Sequence, residues 1–350
     1  MPDNFEKPFD LDMPPVIFGT SGLGNIFVAQ SLETKQEIVK EAITHTNGNL
    51  VFDSAGKYGA GLALECLGKC LKNLGVAPED VIISNKLAWV RTELKTPEPT
   101  FEPGVWRDLK HDAVQKISYD GIIECFEQGN ELLDGYIPQM VSVHDPDEYL
   151  AKATSPEEDK KLYNDILEAY RALEMLKQTG RAKSIGVGAK NWRSIERIAN
   201  DVKLDWVMIA NSMTIHSHPR ELLDFMKKLE DKGVQIINSA VFNAGYLIGG
   251  DYYNYKYIDP AAPENQALIK WREDYFKLCD AFNIKPAEAA VKFGLMAPGV
   301  KSIALSTSNS KRVKDNVAMA NVEIPLDFWR QMVANGLIDE QFFSYTNITL

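Results

Sequence analysis

The sequence predicts an α/β fold, a single (β/α)8 barrel of the TIM type, and three observations carry that expectation. Short β-branched runs alternate with longer amphipathic stretches, eight such runs occur, and no Pro/Gly/Ser-rich linker divides the 350 residues. Such alternation implies a parallel sheet covered on its outer face. A chain of 350 residues exceeds an ordinary domain but suits one barrel with decorated loops.

The strands are expected at 16–19, 50–54, 81–86, 140–144, 182–188, 206–211, 234–240 and 302–306. Helical patterns lie between them at 35–45, 62–74, 119–133, 163–179, 192–201 and 219–231, with 266–282 and 286–296 before the last strand. Pro219 and Pro286 suit a first helical turn, where a missing N–H costs nothing. Gly75, Gly180 and Gly233 follow helical runs and suit the left-handed closing position. Residues 1–14 read as an N-terminal extension and 317–350 as a C-terminal helix and tail, so that 1–350 forms one domain.

Two connections exceed what a barrel needs. Loop 87–118, after the third strand, carries Trp89, Phe101 and Trp106; loop 242–265, after the seventh, carries Tyr246, Tyr252, Tyr253, Tyr255 and Tyr257. Loops that follow strands lie on the C-terminal face, where active sites of this fold occur. Their aromatic rings would either pack the loops together or stack on a substrate. The tail 339–350 would fold over the mouth or fray.

Composition narrows the function classes. Hydrophobic residues at 45% and charged residues at 25% describe an ordinary globular protein. A net charge of -11 argues against nucleic acid as a partner, because phosphate neutralisation needs clustered Lys and Arg. No apolar run reaches the roughly 18 residues of a membrane helix, and the start of the chain lacks a basic, then apolar, export signal. Both point to a cytoplasmic protein. Of the four cysteines, Cys66 and Cys70 share a helix face and read as buried apolar residues. His216-Ser217-His218 has metal-compatible spacing but no third ligand, so no metal is expected. The Asn347-Ile348-Thr349 sequon carries no meaning without a secretory signal.

Four ionisable residues fall at the ends of successive expected strands. Asp53 closes the second, Tyr58 follows it in the loop, Lys86 closes the third and His144 the fourth. Taken singly, Asp53 could cap the next element, Lys86 could snorkel, His144 could be a satisfied turn residue and Tyr58 an ordinary loop tyrosine. Together they share a purpose. A phenol of pKa about 10 is a poor proton partner near neutrality. A nearby ammonium would lower it, an aspartate would fix that ammonium, and a histidine opposite would orient the reacting oxygen.

The run Asp53-Ser54-Ala55-Gly56-Lys57-Tyr58-Gly59, with Lys86 and His144 at strand ends and the opening Gly19-Thr20-Ser21-Gly22-Leu23-Gly24, resembles the aldo-keto reductases over about Pro15 to Asn316. The resemblance implies a barrel that binds NAD or NADP at its mouth, with Tyr58 as general acid/base, Lys86 and Asp53 tuning it, and His144 positioning the substrate. It assigns Tyr58, His144 and Trp89 to the substrate. To the cofactor it assigns Gly19, Thr20, Asp53, Asn191, Ser239, Ser306, Arg312 and Asn316. Several positions depart from the family pattern. Gly188-Ala189-Lys190-Asn191 stands where Ser-Asn is common, so that Asn191 would act from a shifted position, and Met208 stands where a Gln is common. Ser306 replaces a lysine, which favours NAD over NADP, since a 2′-phosphate is best held by two cations. The helix opening near Ser310 would suit a phosphate in either case.

His144-Asp145-Pro146-Asp147 with Gly186-Val187-Gly188 is closer to the sugar 1-dehydrogenase branch, which includes D-threo-aldose, L-fucose and L-galactose dehydrogenases. That implies oxidation of an aldose at C1 to a lactone, with Asp147 either accepting sugar hydroxyls or lying in an exposed turn. The alternatives are a general aldehyde/ketone reductase, a non-catalytic cofactor-binding regulatory subunit, and a barrel aldolase using Lys86 as a Schiff base. Retention of all four residues opposes the regulatory subunit. Asp53 beside Lys86 opposes the aldolase, because it keeps the lysine charged.

Overall fold

The computed structural model describes residues 11–350. In chain order the first part comprises β1 (Val16–Gly19), α1 (Leu32–His45), β2 (Leu50–Ala55), α2 (Leu62–Asn73), β3 (Val81–Leu87), β4 (Trp89–Glu93), β5 (His111–Gln115) and α3 (Tyr119–Leu132). There follow β6 (Met140–His144), α4 (Pro146–Leu150), α5 (Pro156–Gln178), β7 (Ser184–Ala189), α6 (Trp192–Asp201), β8 (Trp206–Ala210), α7 (Arg220–Asp231) and β9 (Gln235–Ser239). The last part holds β10 (Tyr252–Tyr253), β11 (Lys256–Tyr257), α8 (Gln266–Ala281), α9 (Pro286–Met296), β12 (Val300–Ser306), α10 (Val313–Met319) and α11 (Leu326–Ala334).

Eight parallel strands close in the order β1-β12-β9-β8-β7-β6-β3-β2, the (β/α)8 barrel that the alternation predicts. All eight expected strands form, with ends within two residues. One helix starts well before its expected position: α5 begins at Pro156, not at 163. Ser155 caps it by accepting a hydrogen bond from the Glu158 N–H, and its first turn carries Glu157, Glu158 and Asp159. Those charges suit the positive helix end but hide the apolar period, which resumes at Tyr163. Pro219 sits just outside α7, at its cap.

The loops after β3 and β9 are not structureless. The first pairs β4 with β5 as an antiparallel hairpin from Trp89↔Gln115 to Glu93↔His111, and the second pairs β10 with β11. Of the expected N-terminal extension 1–14, residues 1–10 lie outside the described residues, and the rest is no decoration: Leu11 and Met13 are buried with Ile17, Val51, Met140, Trp206, Met208 and Ile237 in the barrel floor. Gly186 belongs to the same packing, because a Cβ there would lie 2.3 Å from the Trp206 indole. The tail docks on the outer helices rather than fraying. Phe342 stacks on Phe293 of α9 at 3.9 Å, and the Tyr345 hydroxyl donates to Asp224 of α7.

The four cysteines are free and buried. No described helix is long and apolar enough to cross a membrane. Among the described residues no group of three or more His, Cys, Asp and Glu side chains could hold a metal. His216 instead contacts the Tyr253 hydroxyl at 2.9 Å, and His218 takes the Asp339 N–H at 3.1 Å.

Candidate active site

Successive residues of a strand face opposite sides, so Asp53, Lys86 and His144 occupy inward positions at the C-terminal ends of β2, β3 and β6. The register brings them together: Ala55 stands opposite Lys86, Lys86 opposite Ser142, and His144 opposite Gly188. Gly188 makes room for the lysine, since a Cβ there would meet Lys86 Cδ at 3.1 Å. Lys86 Nζ donates to Asp53 Oδ2 at 2.5 Å, and Ser84 Oγ donates to Asp53 Oδ1 at 3.1 Å. Both carboxylate oxygens are thereby satisfied in a buried setting, as a buried charge requires.

Tyr58 lies in the turn between β2 and α2, where its N–H donates to Ala55 O at 3.1 Å. The next residue, Gly59, has φ +61, and a Cβ on it would lie 2.3 Å from Gly24 O. Only glycine permits that approach of the β1 loop to the tyrosine turn. The half-buried Tyr58 ring stands under Lys86 Nζ, 4.7 Å from its centroid, and meets the His144 ring edge-on at 5.6 Å. Trp106 packs against its other side at 5.9 Å.

The electrostatics depart from one expectation. Burial pushes the Tyr58 phenol well above its ordinary value, and Asp53 and Asp145 push the same way. The lysine does not reverse this, because its charge is matched at close range by Asp53. Burial likewise holds His144 well below its usual range; Asp145 opposes this, and Lys86, Lys57 and Lys190 reinforce it. The imidazole is therefore neutral at pH 7, and its Nδ1 is buried without a partner. A protonated phenol beside a neutral imidazole can donate one proton and orient one oxygen.

The residues assigned to a cofactor divide into two groups. Gly19, Ser306 and Asp53 are neighbours in register at the ends of β1, β12 and β2, and Ser239 closes β9 opposite Ala304. Thr20 is committed to the turn: its hydroxyl contacts Asp53 O at 3.0 Å and Ser54 Oγ at 2.8 Å. Asn316 lines a small cavity with Gly19, Thr20 and Thr307. Arg312 is exposed, with no ion-pair partner among the described residues. The helix opening expected near Ser310 is a 3-10 turn at Ser310–Arg312, and the Lys311 N–H is already taken by Asn309 Oδ1.

Asn191 has a capping role in the fold. It is exposed, its Oδ1 caps α6 through the Arg193 N–H, and it lines a surface groove with Asp159 and Arg197. One buried amide just beyond a strand end is Asn211, which follows β8 and whose Oδ1 has no partner among the described residues. Asp147 is not an exposed turn residue: its Oδ2 accepts the Lys190 and Asn191 N–H groups at 3.2 and 2.8 Å, while its Oδ1 is buried without a partner among the described residues. Trp89 lies beneath the Lys57 ammonium at 5.1 Å, one layer behind the tryptophan that touches Tyr58. Most tyrosines of the second loop pack on one another, Tyr246 edge-on to Tyr253 at 5.7 Å and Tyr252 to Tyr257 at 5.8 Å, while Tyr255 lies beneath Lys190 at 5.6 Å. Sequence reasoning missed Trp106 and Asn211. Trp106 was visible only as one aromatic among several, and Asn211 only as a polar residue ending a strand.

Comparison with known proteins agrees with this architecture. A model of the aldo/keto reductase family matches residues 15–335. Pyridoxal 4-dehydrogenase of Microbacterium luteolum is 25% identical over 332 residues, covering 91% of this chain and 93% of that protein. D-threo-aldose 1-dehydrogenase of a Pseudomonas species is 23% identical over 343 residues, covering 94% and 95%. Among solved structures, an aldo-keto reductase of Bacillus halodurans in its holo form aligns with a TM-score of 0.66 at 18% identity, over 94% of each chain. Glycerol dehydrogenase of Gluconobacter oxydans aligns with a TM-score of 0.66 at 14% identity, over 96% of this chain and 93% of that one.

Proposed function

The chain belongs to the aldo/keto reductase family, and on that premise we propose that it is a nicotinamide-dependent oxidoreductase acting on the C1 hydroxyl of an aldose. The observation that carries this reading is the meeting of Tyr58, Lys86 and His144 at the barrel mouth. NAD or NADP, when bound, supplies the hydride acceptor or donor. Gly19, Thr20, Ser239, Ser306, Arg312 and Asn316 would hold it, with Asn211 in place of Asn191 for a carboxamide. The donor set fits such a group: among the described residues the buried Asn211 amide oxygen and the exposed Arg312 guanidinium have no polar partner.

The chain's own residues then handle the proton. Neutral His144 hydrogen-bonds the substrate oxygen and holds it toward Tyr58. The phenol gives its proton to that oxygen in reduction and takes it back in oxidation. Lys86, fixed by Asp53, faces the tyrosine ring and stabilises negative charge that develops there. The aldose assignment draws on the relatives named for D-threo-aldose and pyridoxal. Both compounds carry an aldehyde within reach of a hydroxyl, so each can present a ring hemiacetal to the same machinery. A second reading, aldehyde or ketone reduction, uses the same site with Tyr58 in its protonated, donor form; burial, which raises the phenol, favours that form.

Initial rates in both directions test these readings, with L-fucose, L-galactose, D-arabinose and pyridoxal for oxidation and 4-nitrobenzaldehyde for reduction, each with either cofactor. Oxidation of an aldose to its lactone with reduced nicotinamide appearing is the expected result. Turnover of 4-nitrobenzaldehyde alone would select the reductase reading, and no turnover at all would refute both. Replacing Arg312 with Ala is expected to weaken NADP binding about tenfold, the scale of one charge-assisted contact, and NAD binding much less. Equal losses would remove Arg312 from a 2′-phosphate site.

A further inference from the structure

Next to Tyr58 the fold buries a second ammonium for which the proposed chemistry has no use. The side chain of Lys57 is 3% exposed, and three carboxylates surround it: Glu102 Oε1 at 2.8 Å, Asp145 Oδ2 at 2.8 Å and Glu148 Oε2 at 3.0 Å. Each of these carboxylates has a second attachment that leads toward the reaction centre. Glu102 Oε2 accepts the Trp106 indole N–H at 2.7 Å, and that indole packs on Tyr58. Asp145 Oδ2 stands 3.6 Å from His144 Nε2, and its backbone N–H donates to Gly188 O at 3.1 Å. Glu148 Oε1 accepts from Lys190 Nζ, just beyond the end of β7.

A buried ion cluster is a poor source of stability, because desolvation offsets most of its Coulomb energy; its best-attested use is to fix one arrangement among several. The arrangement here joins three pieces, of which the hairpin and the β2–α2 turn are also tied by Arg91 Nε donating to Ala60 O at 2.7 Å. These are the β4–β5 hairpin loop carrying Glu102, the start of α4 with Asp145 and Glu148, and the β2–α2 turn carrying Tyr58. Two of them are in left-handed backbone conformations, with φ 44 at Glu102 and φ 50 at Asp145. Non-glycine residues keep that conformation only when their surroundings enforce it.

We infer that Lys57 is a positioning residue for the reaction: it clasps Glu102, Asp145 and Glu148 so that Trp106 and His144 are both held against Tyr58. The inference rests on the reading of Tyr58 and His144 as the reaction centre. It also has an electrostatic consequence that a purely structural ion pair would lack. The charged groups acting on His144 are Asp145, which favours its protonation, and Lys86, Lys57 and Lys190, which oppose it. Tyr58 meets the same ring edge-on. Removing Lys57 leaves Asp145 less compensated, so His144 should take up a proton at higher pH than in the wild type.

Steady-state rates from pH 5 to 9, with L-fucose, L-galactose and 4-nitrobenzaldehyde as probes, test this on Lys57→Met, Lys57→Arg, Glu102→Gln and Tyr58→Phe. Lys57→Met is expected to lower kcat on the order of tenfold to a hundredfold, the cost of a misplaced reacting geometry, with substrate KM and cofactor Kd nearly unchanged. The acid limb of its rate profile should move to higher pH, and Lys57→Arg should return that limb and recover part of kcat. A wild-type kcat and profile in Lys57→Met would overturn the inference. If that variant does not fold, Glu102→Gln decides: a several-fold fall in kcat supports the clasp, and an unchanged kcat sinks it. Tyr58→Phe separates the two levels. Full activity there refutes the reaction centre itself, whereas its loss beside an unaffected Lys57→Met refutes only the role of Lys57.

Discussion

The floor and the mouth of the barrel are made by the same strands yet obey different rules. At the floor, Ile17, Val51, Met140, Trp206, Met208 and Ile237 form a hydrocarbon plug with Leu11 and Met13. At the mouth, the same strands end in Asp53, Lys86 and His144, which are buried but ionisable, and Asn211 with its unpartnered oxygen follows β8. The floor gains almost wholly from apolar burial, the Trp206 indole N–H being its one polar side-chain group and lacking a partner among the described residues. The mouth must satisfy each charge separately and leaves a few polar atoms waiting. Stability and chemistry are thus separated along a single strand direction, as expected where loops at one face carry function.

Substitutions at the two ends should therefore fail in different ways. The largest combined effect is expected from Lys86→Met at the mouth. It strands the Asp53 carboxylate in the interior, which costs about 3–5 kcal/mol of stability, and it removes the ammonium facing Tyr58, so turnover should fall as well. Urea unfolding and kcat would check both; loss of stability with full kcat would erase the distinction drawn here. At the floor, Gly186→Ala forces a methyl group into the Trp206 indole. Overpacking of this kind costs roughly 1–3 kcal/mol, and kcat per folded molecule should stay at its wild-type value. A large fall in kcat would mean that the floor is coupled to the chemistry.

A smaller effect comes from pH. Burial, the largest cause in each case, lowers His144, His216 and His218 below their ordinary values. The unfolded chain binds protons at these residues below about pH 6.5, where the folded chain does not. Stability therefore rises with pH through this range and is lost as pH falls below it. Unfolding free energies at pH 7.5 and 5.5 should differ by about 1 kcal/mol or more. A flat profile would mean that the three histidines titrate in the folded protein as they do in the unfolded one.

The same contrast explains what the sequence made legible. The eight strands could be read because parallel, doubly covered strands are continuous β-branched runs, and Asp53, Lys86 and His144 could be read because they end such runs. The hairpin β4–β5 was hidden by Pro97, Pro99 and Pro103 in its connection, which make the segment look like loop. Lys57 looked like any loop lysine, since its partners Asp145 and Glu148 lie 88 and 91 positions away. No local pattern announces such a clasp. Asn191 shows the opposite case: it stands at a plausible distance after a strand, and the helix cap made by its oxygen could not be read from that spacing. The phenol of Tyr58 was expected to be lowered by Lys86. Residue types alone could not show that Asp53 would match that charge so closely while burial outweighed the lowering effect of Lys57.

The central claim is that Tyr58 carries the proton at this mouth. Single-turnover hydride transfer in Tyr58→Phe, followed by nicotinamide absorbance beside a separate measurement of cofactor Kd, tests it most directly. The account predicts a rate lower by about 10²–10⁴-fold, the range for removing a general acid/base, with Kd and unfolding free energy nearly unchanged. A variant that transfers hydride at close to the wild-type rate would contradict it.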